Sequence, residues 1–207
     1  YIYLLLLTSL CCLQAGAVSS EIRSLSVSDG LPDLVINTIY KDSKGYVWMG
    51  TNTSVERFDG IRLEHYMVEG SNENLKRVFA LVEMPGNELW VGTGMGLFRL
   101  ADDAEKLERL APEMITSGVH AFCKLGDVLY VGTEKGLYVY KGGVFEHVLV
   151  DKNIFSRANF VTGMVEGENG ILWLSTMGGL KSLRLSDQSI TSFSDKLAKN
   201  GQNLSFY

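Results

Sequence analysis

The sequence predicts an all-β fold of repeated four-stranded antiparallel sheets, and two observations predict it. The first is a period. GYVWMGT at residues 45–51, ELWVGT at 88–93, VLYVGT at 128–133 and ILWLST at 171–176 align so that an aromatic residue recurs at Trp48, Trp90, Tyr130 and Trp173, with spacings of 42, 40 and 43 residues. A fixed period of that size marks a stack of equivalent supersecondary units rather than one mixed core. The second is the content of each period: short alternating runs between polar, glycine-bearing turns, with no helical periodicity among them.

Each repeat supplies four strands in order. The first is the run around VINTIYK, RVFALVE, GVHAFCK or FVTGMVE, which carries an apolar residue (Ile39, Leu81, Phe122, Met164) eight or nine positions before the aromatic one. A turn with Gly45, Gly86, Gly126 or Gly170 leads into the second strand, since glycine takes up positive φ at little steric cost. The second strand holds the aromatic residue and closes on Gly50-Thr51, Gly92-Thr93, Gly132-Thr133 or Ser175-Thr176. The third begins at Ser54-Val55, Gly96-Leu97, Gly136-Leu137 or Gly179-Leu180. The fourth follows DG, ADDAE, KGG or SDQ, in IRLEHY, KLERL, VFEHV and SITSF.

A four-stranded meander has two apolar faces and cannot bury both alone. Packing successive meanders face to face around an axis solves this, which predicts a β-propeller with about four blades present. The recurring aromatics are the large side chains that each blade wedges against its neighbour. The repeats lie near residues 30–66, 72–110, 114–149 and 157–193.

The bulk numbers fit a packed domain. The chain has 207 residues, 46% hydrophobic composition and a net charge of -5, with no run of Lys and Arg longer than two. Nucleic acid is therefore not an expected partner. The opening YIYLLLLTSLCCLQAGAVSS has an apolar run from Ile2 to Leu13, then Ala15-Gly16-Ala17, the pattern of a secretory signal peptide over residues 1–17, truncated at its start. The mature chain, residues 18–207, then keeps Cys123 alone, too few cysteines for an internal disulfide. Cys123 lies in a strand-like run and reads as a buried, inert thiol.

At this level of detail the stretch LSVSDGLPDLVINTIYKDSKGYVWMGTNTSVERFDGIRLEHY, residues 25–66, strongly resembles the two-component regulator propeller repeat: a DGL opening, a DSKG-type turn, WxGT, a Gly-Leu pair and a short aromatic strand. The resemblance extends from Ser24 to Phe193. It departs at Ser54, which replaces the usual glycine, and at Ser175, which replaces the glycine of WxGT. The family supplies periplasmic sensor regions of hybrid histidine kinases in gut Bacteroidetes. There, paired seven-bladed propellers precede an immunoglobulin-like domain, a membrane helix and kinase parts, and the stimuli are oligosaccharides. The resemblance thus implies an amino-terminal part of a seven-bladed ring, periplasmic, with NLSFY opening a fifth repeat and IRSLSVS as a ring-closing strand. It implies an oligosaccharide ligand, a homodimer formed through the parent chain, a membrane contact through downstream segments, and a kinase encoded downstream. Terminal blades of an open arc would have unpaired edges, an aggregation liability.

Chemistry is sparse. His65, His120 and His147 stand far apart, with no cysteine or carboxylate at ligand spacing, so no metal site is expected. No G-x-S-x-G context marks a nucleophile. No cofactor or catalytic residue is assigned. DSKGYVW and ENGILW resemble the Asp-box of sialidase-type propellers, in which that box is a fold element; a sialidase also needs clustered arginines, and those here are scattered. A sialidase-like hydrolase is one alternative. A structural or protein-interaction propeller without a small ligand is another. For a sugar, the candidates are loop groups with amides, charges and rings: Asn72, Glu73 and Asn74 in the 67–77 loop, and Phe155, Arg157, Asn159 and Phe160 in the 151–160 loop.

Overall fold

A computed structural model describes residues 24–68 and 75–193. The expected leader, Asn72, Glu73, Asn74 and NLSFY lie outside them. The strands form four antiparallel sheets, each a simple meander in chain order. Blade 1 contains β1 (Thr38–Lys41), β2 (Val47–Gly50), β3 (Val55–Phe58) and β4 (Leu63–Tyr66). Blade 2 contains β5 (Val78–Met84), β6 (Glu88–Thr93), β7 (Gly96–Leu100) and the two-residue β8 (Glu108–Arg109). Blade 3 contains β9 (Val119–Leu125), β10 (Val128–Thr133), β11 (Gly136–Lys141) and β12 (Val144–Val148). Blade 4 contains β13 (Val161–Glu166), β14 (Ile171–Thr176), β15 (Gly179–Arg184) and β16 (Ile190–Ser192). The first strands neighbour one another in series, β1 by β5, β5 by β9 and β9 by β13, so they form the inner, axis-side edge. This is the all-β propeller arrangement that the repeats predict.

Period-2 alternation assigns each second strand's side chains to two interfaces. Trp48 packs with Leu81, Leu89, Val91 and Phe98 between blades 1 and 2. Trp90 packs with Val119, Leu129, Val131 and Tyr138 between blades 2 and 3. Tyr130 lies against Leu172, Leu174 and Leu183 between blades 3 and 4. Each aromatic therefore faces the following blade, while the residues flanking it face the preceding one. Trp173, in the last described blade, is only half-buried and rests on Phe193.

Two recurring residues have plain structural causes. The WxGT threonines are buried, and each Oγ1 donates to the carbonyl three residues on (Ser54, Gly96, Gly136, Gly179) at 2.7–3.1 Å. Each also accepts the amide two residues on (Thr53, Met95, Lys135, Gly178), which fixes the turn without help from another element. The WxGT glycines lie where the next blade's inner strand comes closest. A Cβ on Gly92 or Gly132 would stand 2.8 Å from Val119 or Val161 Cγ1. At Ser175 the site is exposed, and its Oγ meets Thr162 Oγ1 at 3.0 Å, so a side chain fits there.

Candidate functional site

The inner edge carries an uninterrupted row of rings. β5 and β9 each contain a bulge near their start, and the extra residues are Phe79 and His120. A bulge re-aims the side chain it adds. Phe79 and His120 pack tilted by 35° with centroids 4.1 Å apart, and His120 meets Phe160 at 4.8 Å, so the row crosses blades 2, 3 and 4. Arg77 caps one end, its Cζ 5.8 Å from the Phe79 ring. Above the row, Glu134 in the β10–β11 turn lies 3.2 Å from His120 Nε2.

The 151–160 loop leads straight into this row. Asp151 Oδ1 accepts the Asn153 amide, and its Oδ2 accepts the Ser156 hydroxyl; the two bonds hold its carboxyl below the usual carboxylate range. Asn159 is 2% exposed, and its side-chain amide is spent inside the loop, on the Asp151 amide and on the Asp151 and Asn153 carbonyls. It braces the loop. Phe155, 88% exposed, and Arg157, also exposed, stand outward on that rigid base, and Phe160 turns in to stack on His120. Of the loop residues read from the sequence, Phe155 and Arg157 are thus presented to solvent, whereas Asn159 is not.

Sequence reasoning named Phe160 but missed Phe79 and His120, because bulges and inter-blade ring contacts leave no local pattern. It also missed the setting of Glu56. That carboxylate is fully buried: Oε1 accepts from Ser54 Oγ at 2.7 Å and lies 2.8 Å from His65 Nδ1, while Oε2 has no partner among the described residues. The available signal was Ser54 in place of glycine. His65 and His147 are exposed on outer strands, as their positions suggested; His147 stacks on Tyr138 and contacts the Lys135 carbonyl. Cys123 is half-buried, and burial raises its thiol pKa. The Asp-box likeness holds in blade 1, where Asp42 accepts the Tyr46 amide at 2.8 Å and Trp48 Nε1 at 2.7 Å. In blade 4 the Asp42 register falls on Gly167, and Glu168 lies one residue further on.

Three rings, one arginine and one carboxylate on an inner rim suit recognition of a ligand with both apolar and hydroxyl faces. The row holds one acid–base pair, His120 with Glu134, and no hydroxyl or thiol nucleophile is bonded to it. Among the described residues no three His, Cys, Asp or Glu side chains converge to hold a metal ion.

In its first blade the chain matches the two component regulator propeller family. Its residues 30–53, from the glycine of DGL through the WxGT turn of blade 1, match that family's model. Solved structures share the fold. The extracellular domains of two hybrid two component systems from B. thetaiotaomicron superimpose with TM-scores of 0.70 and 0.66, each at 22% identity over 83% and 78% of this chain. The chain spans about a quarter of the length of those domains, 26% and 22%. A streptogramin B lyase also matches, with TM-score 0.58, 14% identity, 78% of this chain and 55% of its own, so the propeller fold hosts enzymes too. No curated protein matches the sequence. Among the described residues no helix is long and apolar enough to cross a membrane.

Proposed function

We propose that this chain is the amino-terminal, ligand-sensing part of a seven-bladed propeller in the periplasmic region of a two-component receptor. The receptor responds to oligosaccharides and signals as a homodimer to a histidine kinase carried downstream. The observation that supports recognition rather than turnover is the inner-rim row, in which three rings line one edge with Arg77 at one end and a single carboxylate, Glu134, beside His120. The regulator propeller repeat supports the signalling context. Because a ligand shifts an equilibrium only by its differential affinity for two states, the sugar must bind one receptor geometry more tightly than the other.

The test is calorimetric titration of the receptor's intact periplasmic region with a panel of glycan fragments, with product analysis of each mixture and a transcriptional reporter in the host. The expected result is saturable binding, unchanged sugar and a reporter response to the same sugar. Phe155→Ala and Arg157→Ala should each weaken binding about five- to tenfold, the loss typical of a contact worth roughly 1–1.4 kcal/mol. Cleavage of a fragment would sink the sensor reading in favour of a hydrolase. Silence across the panel would favour a scaffold.

A further inference from the structure

The three blade boundaries offer an internal comparison, because the same register positions meet at the outer hairpin ends of each. Between blades 1 and 2 the space beneath these positions is only 20 Å³, and a separate, more open recess of 350 Å³ lies beside it along Glu64, His65 and Ala104. Lys44 reaches across to Asp102, Asn87 donates to Asp102, and the Arg57 guanidinium lies 4.6 Å from the Tyr46 ring. Between blades 3 and 4 the same positions leave only 30 Å³, filled by Leu183, Leu185 and Val139 against Tyr130, and a separate, more open recess of 500 Å³ lies beside it along Val150, Lys181 and Ile190. Between blades 2 and 3 the crevice at these positions is open, with a volume of 730 Å³. Counting from the aromatic residue of each repeat shows why. The positions of Lys44 and Asp102 are taken there by Gly86 and Gly142, and a Cβ on either would meet nothing within 4 Å.

The open crevice is furnished, not merely empty. Tyr140, at the register of Leu100, meets Trp90 edge-on with centroids 4.8 Å apart, and Phe145 packs 4.8 Å from Tyr140. Arg99 is drawn off to Glu88 and Glu108, at 3.7 and 3.1 Å. Lys124 Nζ donates to the Glu83 carbonyl at 2.9 Å. Asp127 takes the register of Asn87, and with glycine in place of Asp102 its carboxylate makes no hydrogen bond or ion pair among the described residues. The lining carries two cations, Arg99 and Lys124, against two carboxylates, Glu88 and Asp127. That balance disfavours a multiply anionic ligand. Partly exposed rings suit a flat apolar face, and the charged groups suit hydroxyls. The volume lies within the roughly 300–1,000 Å³ of small-ligand sites.

We propose that the crevice between blades 2 and 3 is a binding site for a neutral oligosaccharide of two or three rings, distinct from the inner rim. One sugar ring stacks on Tyr140 and Phe145, and its hydroxyls donate to Asp127 and accept from Lys124 and Arg99. The ligand class rests on the sensor reading above; the place does not.

The closed boundary supplies the test substitutions. Tyr140→Leu and Asp127→Asn install the residues found at the same registers in blade 2, so both suit this fold. The full chain is titrated with maltotriose, cellotriose and triacetylchitotriose by calorimetry and tryptophan fluorescence, and each variant is melted to check its fold. The expected result is saturable binding of at least one trisaccharide, weakened at least tenfold in the double variant and unchanged in Ile61→Ala, an exposed residue of the turn after β3 that belongs to neither site. Undiminished binding in the double variant would overturn the crevice assignment while leaving the sensor reading intact. Absence of saturable binding to all three would also overturn it; the sensor reading would then stand or fall on the receptor's own transcriptional response.

Discussion

Adding one methyl group at Gly132 tests the packing logic of the blade stack. Its backbone φ is not in the left-handed region, so alanine brings no conformational strain; the cost comes from the neighbouring blade. The new Cβ would lie 2.8 Å from Val161 Cγ1, 3.2 Å from Val161 Cβ and 3.4 Å from Met164 Cε, all side-chain atoms. Val161 is fully buried, so it has little room to withdraw. Overpacking of this kind costs about 1–3 kcal/mol. Val161→Ala alone removes two buried methyl groups at roughly 0.8 kcal/mol each, plus a cavity contribution, for about 2 kcal/mol in all. Together the two changes compensate, because the methyl gained at 132 occupies space vacated at 161. The double variant should therefore be more stable than the sum of the singles by about 1 kcal/mol or more. At Gly92 the parallel pair with Val119→Ala should couple less, because the Val119 carbonyl oxygen, 2.9 Å from the added Cβ, remains in place. Ser175→Ala, at the equivalent exposed site of blade 4, should change stability by less than about 0.5 kcal/mol. Urea denaturation followed by far-UV circular dichroism measures each difference, and thermal melting should shift about 2–4 °C per kcal/mol. Additivity within about 0.5 kcal/mol at the 132–161 pair would refute the account of why glycine occupies this position.

Thr93→Val should destabilise by about 1–3 kcal/mol, because it leaves the Met95 amide and the Gly96 carbonyl without the Thr93 hydroxyl, whereas Thr93→Ser should restore most of the loss; denaturant midpoints decide it. Burial of Tyr66, reinforced by its hydrogen bond to Glu64, pushes its phenol pKa up to about 12 from 10.0. A folded-state pKa raised in this way contributes stability that is fully present below pH 10 and is lost as pH rises through 12. Tyr66→Phe should remove that part of the alkaline loss, measured as the denaturant midpoint from pH 9 to 12 beside tyrosinate absorbance. Burial first, and then Glu166, raise the Cys123 pKa, so the native chain should alkylate slowly with iodoacetamide at neutral pH and rapidly once unfolded. Equal rates in both states would count against a buried thiol.

Much of the fold was legible because the features that build a blade are local and are repeated four times. The WxGT threonine and the turn glycine each do a job within about ten residues, the aromatic recurs at a fixed period, and comparison of four copies separates all three from coincidence. Asp42 illustrates this: its bonds to Tyr46 and Trp48 lie inside one hairpin, and the DSKGYVW motif alone points to them. The rim row was not legible, because Phe79, His120 and Phe160 come from three repeats and meet only after two bulges have re-aimed their side chains. The 151–160 loop was legible in part. Its polar composition marked it as a surface feature, but whether an amide faces ligand or closes the loop depends on backbone geometry, and Asn159 does the latter.

A repeat protein therefore has two kinds of position, and they carry different information. Where the copies agree, at Trp48, Trp90, Tyr130 and Trp173 or at the threonines, the shared residue answers a demand that every blade makes, and it describes the fold. Where copies in equivalent surroundings disagree, the fold makes no such demand and the residue is free to serve something else. Lys44, Gly86 and Gly126 share one register, and Asp102, Gly142 and Leu185 share its counterpart across the boundary. At these registers an ion pair fills the first boundary, leucine fills the third, and two glycines leave the second open, while recesses of 350 and 500 Å³ lie elsewhere on the first and third. Since an ion pair and an apolar plug both satisfy the packing, opening the second boundary is not something that blade stacking requires. An opening that these registers leave at one boundary alone is more readily explained by what enters it than by what holds the blades together.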